Sequence, residues 1–187
     1  MRLGRLGYYG DFVIYPTAVA GLAVAGLANT EPARWPEFAG AFLGGFCLWT
    51  LAEYVLHRFV LHHVPYVKDM HNVHHDDQLA LVGTPTWFSF VLISGIVFAP
   101  LYAFQGITLA TGVTAGFMLG YLWYVSVHHM VHHWTSKPGS YMHAMKRRHM
   151  LHHHFDEQLN FGVSNGFWDK VFRTDVTPSQ AAAVAHR

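Results

Sequence analysis

Apolar residues run almost unbroken along four stretches of the chain, about Phe12–Ala28, Phe38–Val60, Trp87–Phe104 and Ile107–Val127, and polar residues gather between and after them. Each stretch is close to the roughly 20 apolar residues that carry a helix across a hydrocarbon core about 30 Å thick. Pro16, Pro36 and Pro85 sit at or near the starts of runs, where a missing backbone N–H costs a helix least. The step "FQGIT" between the third and fourth runs predicts a tight helical hairpin turning at Gly106. Glycines and alanines in the first, second and fourth runs predict closely approaching helices. The pattern therefore predicts an all-α integral membrane protein, with four transmembrane helices and a helical cap built from the polar segments.

Composition sharpens this reading. Hydrophobic residues make up 52% of the chain and charged residues 12%, against roughly 25% charged in soluble domains. A formal net charge of +1 gives no basis for a nucleic-acid partner. Cys47 is the single cysteine, so no disulfide framework exists, and its apolar surroundings predict packing. The start "MRLGRLGYYGDF" is too polar for a signal-peptide core, so the first run is expected to stay as an anchor. One membrane-embedded domain is expected over residues 1–187, with residues 1–10 and the tail 176–187 peripheral. With four spans, Arg34 alone among the twelve Lys and Arg residues falls on the side opposite the N-terminus. The positive-inside rule then puts both termini and the cap in the cytoplasm. All 16 histidines fall on that side too.

The histidines form four groups. "HRFVLH" holds His57 and His62, and "HNVHH" holds His71, His74 and His75. "HHMVHH" holds His128, His129, His132 and His133, and "HMLHH" holds His149, His152 and His153. Positions i, i+3 and i+4 share one helix face, so each HxxHH aims three imidazoles in one direction. Such a face is best satisfied by a metal, and histidine is the commonest metal ligand. "HHMVHH" offers two overlapping pairs, His128/His132 and His129/His133, of which one should point inward. Two, three, two and three ligands make ten, which suits two metals with about five each, whereas one tetrahedral zinc takes four. Imidazole suits Zn, Cu, Fe or Ni alike. The Glu-x-x-His pairs of di-iron bundles and the HExxH of zinc proteases are both absent. Glu53 and Asp76 are candidates to accept the free N–H of a ligand imidazole, as metal sites commonly require. Asp77 and Asp156 are weaker candidates of the same kind. His63, His143, His154 and His186 read as ordinary hydrogen-bonded residues.

These boxes resemble the fatty acid hydroxylase superfamily, which includes sterol desaturases and reads HxxxxH, HxxHH, HxxxH, HxxHH. The resemblance spans about residues 45–175 and selects His128/His132 as the inward pair. Within the superfamily it is nearest to fatty acid 2-hydroxylases. "HRFVLH" is similar to their first box and "GYLWY" to their fourth span. "KPGSYMHAMKRRHMLHHH" and "FGVSNGFWDKVFRT" are similar to their C-terminal stretch, with Trp168 and Asp169 as its Trp-Asp pair. Two departures bear on substrate. The interval from His62 to His71 is shorter than in eukaryotic 2-hydroxylases, and Val125 stands where they often carry an acid. No fused cytochrome b5 domain is seen in these residues.

The resemblance implies two metal ions held by His57, His62, His71, His74, His75, His128, His132, His149, His152 and His153. Iron is the working metal it implies, with O2 as co-substrate; zinc in a preparation would be a substitute, since it has no redox chemistry. It also implies a lipid substrate from the bilayer and an external electron donor of cytochrome b5 or ferredoxin type. The location is then a bacterial inner membrane, or the endoplasmic reticulum in a eukaryote. Trp123, Tyr124 and Tyr141, with Trp87, Tyr121 and Trp134, are candidates to line the acyl chain's path, or an interfacial aromatic belt. Lys146, Arg147 and Arg148 are candidates for a headgroup or an acidic donor, or plain positive-inside charge. Asn165 reads as a turn-former. A carotenoid or sterol oxidase or desaturase on the same site is the alternative enzyme. A non-catalytic metal-binding or metal-transport protein is the alternative class, though transport would need ligands at the bilayer midplane.

Overall fold

The computed structural model describes residues 2–185; His186, read above as an ordinary histidine, lies outside the described residues. The fold is helical, and among the described residues extended pairing is confined to one bridge, Arg2 with Val82. The long helices are α1 (Arg5–Tyr9) with α2 (Asp11–Ala28), α3 (Trp35–Val55), α5 (Thr86–Ile93) with α6 (Ala99–Gln105), and α7 (Ile107–His133). They supply four candidate spans, Arg5–Ala28, Pro32–Leu61, Thr86–Gln105 and Ile107–His133. The shorter helices are α4 (Val67–Asp76), α8 (Tyr141–His154), α9 (Phe167–Val171) and α10 (Pro178–Ala185). Gly106, with φ +78°, is the single residue between α6 and α7. Only glycine adopts that conformation freely, which explains the one-residue turn expected there.

Two compact units make up the chain: Met1–Thr50 with Leu81–Trp123, and Leu51–Ala80 with Tyr124–Arg187. The boundaries fall inside α3 and α7. The first unit packs through small residues. A side chain at Gly45 would strike the Val113 carbonyl, and one at Gly116 the Phe42 carbonyl. Gly112, Gly116 and Gly120 are four apart, so they line one ridge of α7 that lets the α3 backbone approach. Trp49 packs edge-on against Phe117 and Tyr121, at ring distances of 5.1 Å. Cys47, expected to pack, is instead exposed.

One buried carboxylate carries no signal in the apolar pattern, because it lies one residue before the first apolar run. Asp11 is buried, and its Oδ2 accepts the Tyr121 hydroxyl at 2.8 Å. Nearby the Tyr15 hydroxyl donates to Ser89 Oγ at 2.8 Å.

In the second unit the apolar core is Val127, Val131, Met145 and Val163, with Tyr124, Met130 and Met142 packed on it. Val127 and Val131 form an i, i+4 stripe that seats α7 against α8 and the following loop. The tail is anchored where it begins. Val176 is buried and exchanges hydrogen bonds with the Asn160 side chain at 3.0 Å each. The start of α10 is a capping box: the Thr177 N–H donates to Gln180 Oε1 at 2.8 Å, with Pro178 at the first helical position. That signal, "TPSQ", was present in the sequence.

Candidate metal centre

The first histidine box owes its geometry to a local change of helix. Five residues along an α-helix turn a side chain about 140° away, so His57 and His62 would diverge on one. Residues Leu56–Leu61 instead wind as a π-helix. Its i→i+5 hydrogen bonds bring that spacing onto one side, and the two rings stack at 5.1 Å.

Helix α4 carries His71, His74 and His75, α8 carries His149, His152 and His153, and the end of α7 carries His128 and His132. The structure brings all ten rings together. One set of four is His57, His62, His71 and His152; another is His74, His132, His149 and His153. In each, the ligand-capable atoms lie within 4.8 Å of one another. His75 joins the first set, with its Nε2 3.1 Å from that of His71. His128 joins the second, with its Nε2 2.9 Å from that of His74.

The expectation that each HxxHH box aims all three rings one way needs correcting. Positions i+3 and i+4 fall on opposite sides of i, roughly 100° apart. In α4, His71 and His75 face one set and His74 the other. In α8, His149 and His153 face the second set and His152 the first. The i+3 residue crosses over in both helices, so two sets of five are built by exchange.

His129 and His133 do not join. They lie farther around α7 from the Val127/Val131 stripe than His128 and His132 do, and their rings stack on each other at 4.5 Å. His63, His143 and His154 also stay outside, bonded respectively to the Arg58 carbonyl, Ser136 and Gln78.

The donor atoms fit a cation. Nε2 faces Nε2 at 3.2 Å for His57 and His71, 3.1 Å for His62 and His152, 2.8 Å for His132 and His149, and 3.0 Å for His149 and His153. With metal–nitrogen bonds of about 2.1 Å, neighbouring ligands on one ion lie roughly 3 Å apart. Burial, and then the neighbouring imidazoles, push the rings toward the neutral form: His62 down to about 4, His74 and His152 to about 3, and His71, His149 and His153 well below the ordinary range. Each neutral ring keeps one unprotonated nitrogen, so the clusters present lone pairs to one another with no cation of their own.

The surrounding contacts differ from those expected. Among the described residues Glu53 makes no hydrogen bond to an imidazole. Its Oε1 accepts the Val163 and Ser164 N–H groups at 2.8 and 2.7 Å, and its Oε2 accepts the Ser164 hydroxyl. Two of the ring N–H groups go to backbone carbonyls instead: His57 Nδ1 to Phe161 O at 2.5 Å and His152 Nδ1 to Leu159 O at 2.8 Å. No sequence pattern marks a carbonyl, so these acceptors were not legible beforehand. Asp76 is exposed; burial pushes His75 toward the neutral form, and the charges of Glu157 and then Asp76 oppose it. Asp156 caps the turn at Gln158. Arg148 does not face outward toward a headgroup. It pairs with Asp169 at 3.0 Å and with Asp175. Lys146 donates to the Trp134 carbonyl at 3.0 Å, and Arg147 is exposed. Asn165 is the turn-former expected, accepting the Phe167 N–H at 3.0 Å.

Among the candidate lining residues, the Tyr124 ring stacks on His128 at 5.8 Å, and Trp123 is half-exposed. Tyr141 is half-exposed and spends its hydroxyl on the Ser164 carbonyl at 2.5 Å.

A family model described as fatty acid hydroxylase matches residues 42–174. The chain is 34% identical over 171 residues to a fatty acid 2-hydroxylase of Mus musculus, covering 84% of this chain and 45% of the mouse protein. It is 34% identical over 150 residues to a ceramide very long chain fatty acid hydroxylase of Saccharomyces cerevisiae, covering 73% of this chain and 38% of that one. Identity to a dihydroceramide fatty acyl 2-hydroxylase of Arabidopsis thaliana is 30%, over 81% of this chain and 67% of the plant protein. Thus the chain spans less than half the length of the mouse and yeast relatives. A solved structure described as full-length scs7p, with only the hydroxylase domain visible, superposes with a TM-score of 0.76 at 29% identity. That match covers 92% of this chain and 67% of the other. The boxes that gather the ten imidazoles all lie within the matched span, and the chain belongs to the fatty acid hydroxylase family.

Proposed function

We propose that this chain is a di-iron membrane oxygenase that hydroxylates an unactivated C–H bond of a lipid acyl chain, with carbon 2 as the candidate position. The observation that carries the reading is the meeting of ten imidazoles in two sets of five, Nε2 to Nε2, in a chain of this family. The names of the relatives, fatty acid and ceramide hydroxylases, supply the substrate class.

His57, His62, His71, His75 and His152 would hold one ion, and His74, His128, His132, His149 and His153 the other. Iron there supplies the O2-activating redox chemistry, which zinc cannot. In the balanced reaction one oxygen atom enters the C–H bond and the other leaves as water. An external one-electron donor, of cytochrome b5 or ferredoxin type, provides two electrons, and solvent provides two protons.

The protein's own part is positional. The imidazoles offer neutral donor atoms, and their burial limits water at the site. Tyr124, Trp123 and the ring of Tyr141 are proposed to guide the acyl chain while its polar head stays at the membrane surface. Arg147 and Lys137, both exposed, are available to an acidic donor. The distribution of Lys and Arg supports a cytoplasmic site, in a bacterial inner membrane or, in a eukaryote, the endoplasmic reticulum.

Lipid profiling of cells with and without the protein tests this, with His74→Ala as the inactive control. Acyl chains heavier by one oxygen, present with wild type and missing with His74→Ala, are expected. Acyl chains lighter by two hydrogens would replace hydroxylation by desaturation, and an oxidised isoprenoid would replace the substrate. Metal binding with every lipid class unchanged would leave a metal-binding protein and end the oxygenase reading.

A further inference from the structure

The inference that follows rests on the reading of the two histidine sets as two metal positions. We propose that the two positions are unequal: the one at His57 is pre-built and slow to release its ion, and the one at His74 is exchangeable. Glu53 and Asp169 are the positioning residues that create the difference.

The asymmetry begins at Nδ1. A carbonyl oxygen can only accept, so the Nδ1 atoms of His57 and His152, facing Phe161 O and Leu159 O, carry protons. In the neutral ring that leaves Nε2 bare and fixes the ring's angle. Nδ1 of His62, in the same set, is buried without a hydrogen-bond partner, but in the other set that holds for two rings, His149 and His153, and no ring there is seen to donate to a carbonyl among the described residues. At His149 and His153 no Nδ1 partner selects the tautomer or fixes the ring's angle. Partners of this kind are each worth about 10–100-fold in metal affinity.

A carbonyl positions a ligand only as firmly as its loop is held, and this loop is held from two sides. Asp169, fully buried, accepts the Phe161 N–H on Oδ1 at 2.8 Å and the Gly162 N–H on Oδ2 at 2.9 Å. Glu53 accepts the next two N–H groups, those of Val163 and Ser164. Four consecutive peptide N–H groups therefore end on two buried carboxylates. Arg148 and the Thr174 hydroxyl complete the shell of Asp169 at 3.0 and 2.8 Å. Asn160, fully buried at φ +55°, ties the start of the loop to Val176. Gly162 leaves no room for a side chain, which would meet the Asn165 carbonyl.

The two carboxylates differ in how they tolerate amide replacement. Glu53→Gln keeps one oxygen for both peptide N–H groups and turns an NH2 toward Ser164 Oγ, which can accept. Asp169→Asn must aim its NH2 at either the Phe161 or the Gly162 N–H, donor against donor.

The test uses the metal-stripped full-length protein in detergent with Co²⁺ as the probe, following bound metal per chain and its release to a chelator. Wild type is expected to bind two ions and release them in two phases, with rates separated by about 10-fold or more. Glu53→Gln should keep the slow phase, whereas Asp169→Asn should lose it and hold a weakened ion in its place. His153→Ala should remove the fast phase only, and His152→Ala the slow phase only. A single release phase in wild type overturns the proposal without need of any variant, as does equal loss from both phases in Asp169→Asn. Wild type that binds no Co²⁺ overturns the two-metal reading itself, an outcome distinct from two ions released alike.

Discussion

The two compact units hold themselves together by different means. In Met1–Thr50 with Leu81–Trp123, helices meet through glycines and ring edges, and the buried polar contacts are short, as in the cluster around Asp11 and the Thr30–Thr108 hydroxyl pair. In Leu51–Ala80 with Tyr124–Arg187, buried carboxylates, peptide N–H groups and ten imidazoles occupy much of the interior. The comparison separates two physical tasks. A span needs surfaces that let backbones touch, because lipid already solvates its side chains. A metal site needs neutral donors held at fixed angles, which takes second partners for the rings.

The largest effect that would test this contrast falls on the histidines. His149→Ala and His74→Ala are expected to abolish the proposed acyl hydroxylation, whereas His129→Ala, outside both sets, should leave it within about twofold. Product lipid measured by mass spectrometry decides between them.

Next comes the glycine ridge. Gly116→Val would push directly into the Phe42 carbonyl. Overpacking of this kind costs about 1–3 kcal/mol, and more where the obstacle is backbone that cannot yield. The thermal midpoint in detergent should fall steeply. Gly44→Ala meets nothing within 4 Å and should leave it unchanged. Equal effects from the two would mean that the close approach is not what binds the spans.

Acid should act on the histidine unit before the spans. In the unfolded chain, histidines take up protons as pH falls through about 6.5. In the fold, His62 resists to about 4 and His74 and His152 to about 3. Between those limits the unfolded state binds more protons, so stability falls as pH falls. Metal-stripped protein should lose thermal stability from about pH 6.5 downward, and a flat profile down to pH 5 would contradict the neutral clusters.

A smaller loss is expected for Asp11→Ala, which removes the carboxylate that accepts the Tyr121 hydroxyl at 2.8 Å. Loss of a buried acceptor costs about 1–3 kcal/mol, with bound metal per chain unchanged. Arg34→Ala breaks an exposed pair with Glu37, 2.8 Å apart, and should shift the thermal midpoint by nothing measurable.

Much of this was legible in the chain. The four spans, the turn at Gly106 and the ten histidines followed from apolar run length, a lone glycine and box spacing. Asp11 is not marked by pattern because it stands just outside its run, whereas the helix that begins at Pro178 is marked by the capping box at Thr177. Glu53 is expected from the sequence to accept an imidazole N–H, and it accepts the Val163 and Ser164 N–H groups instead. It holds peptide N–H groups that belong to residues more than a hundred positions away.

The sequence by itself determined which side chains are present, that the chain is greasy enough to span a membrane four times, and that ten imidazoles recur at helical spacing. Periodicity encodes which residues share a local face, and it stops there. The tertiary structure alone decided that each HxxHH box divides between two sets and that His57 and His62 meet through a π-helical turn. It also decided that the ring N–H groups of His57 and His152 end on the Phe161 and Leu159 carbonyls, and that Asp169 and Glu53 accept the peptide N–H groups of residues 161–164. Those outcomes depend on hydrogen bonds between distant segments, and every residue carries the same peptide groups, so no letter of the sequence marks them.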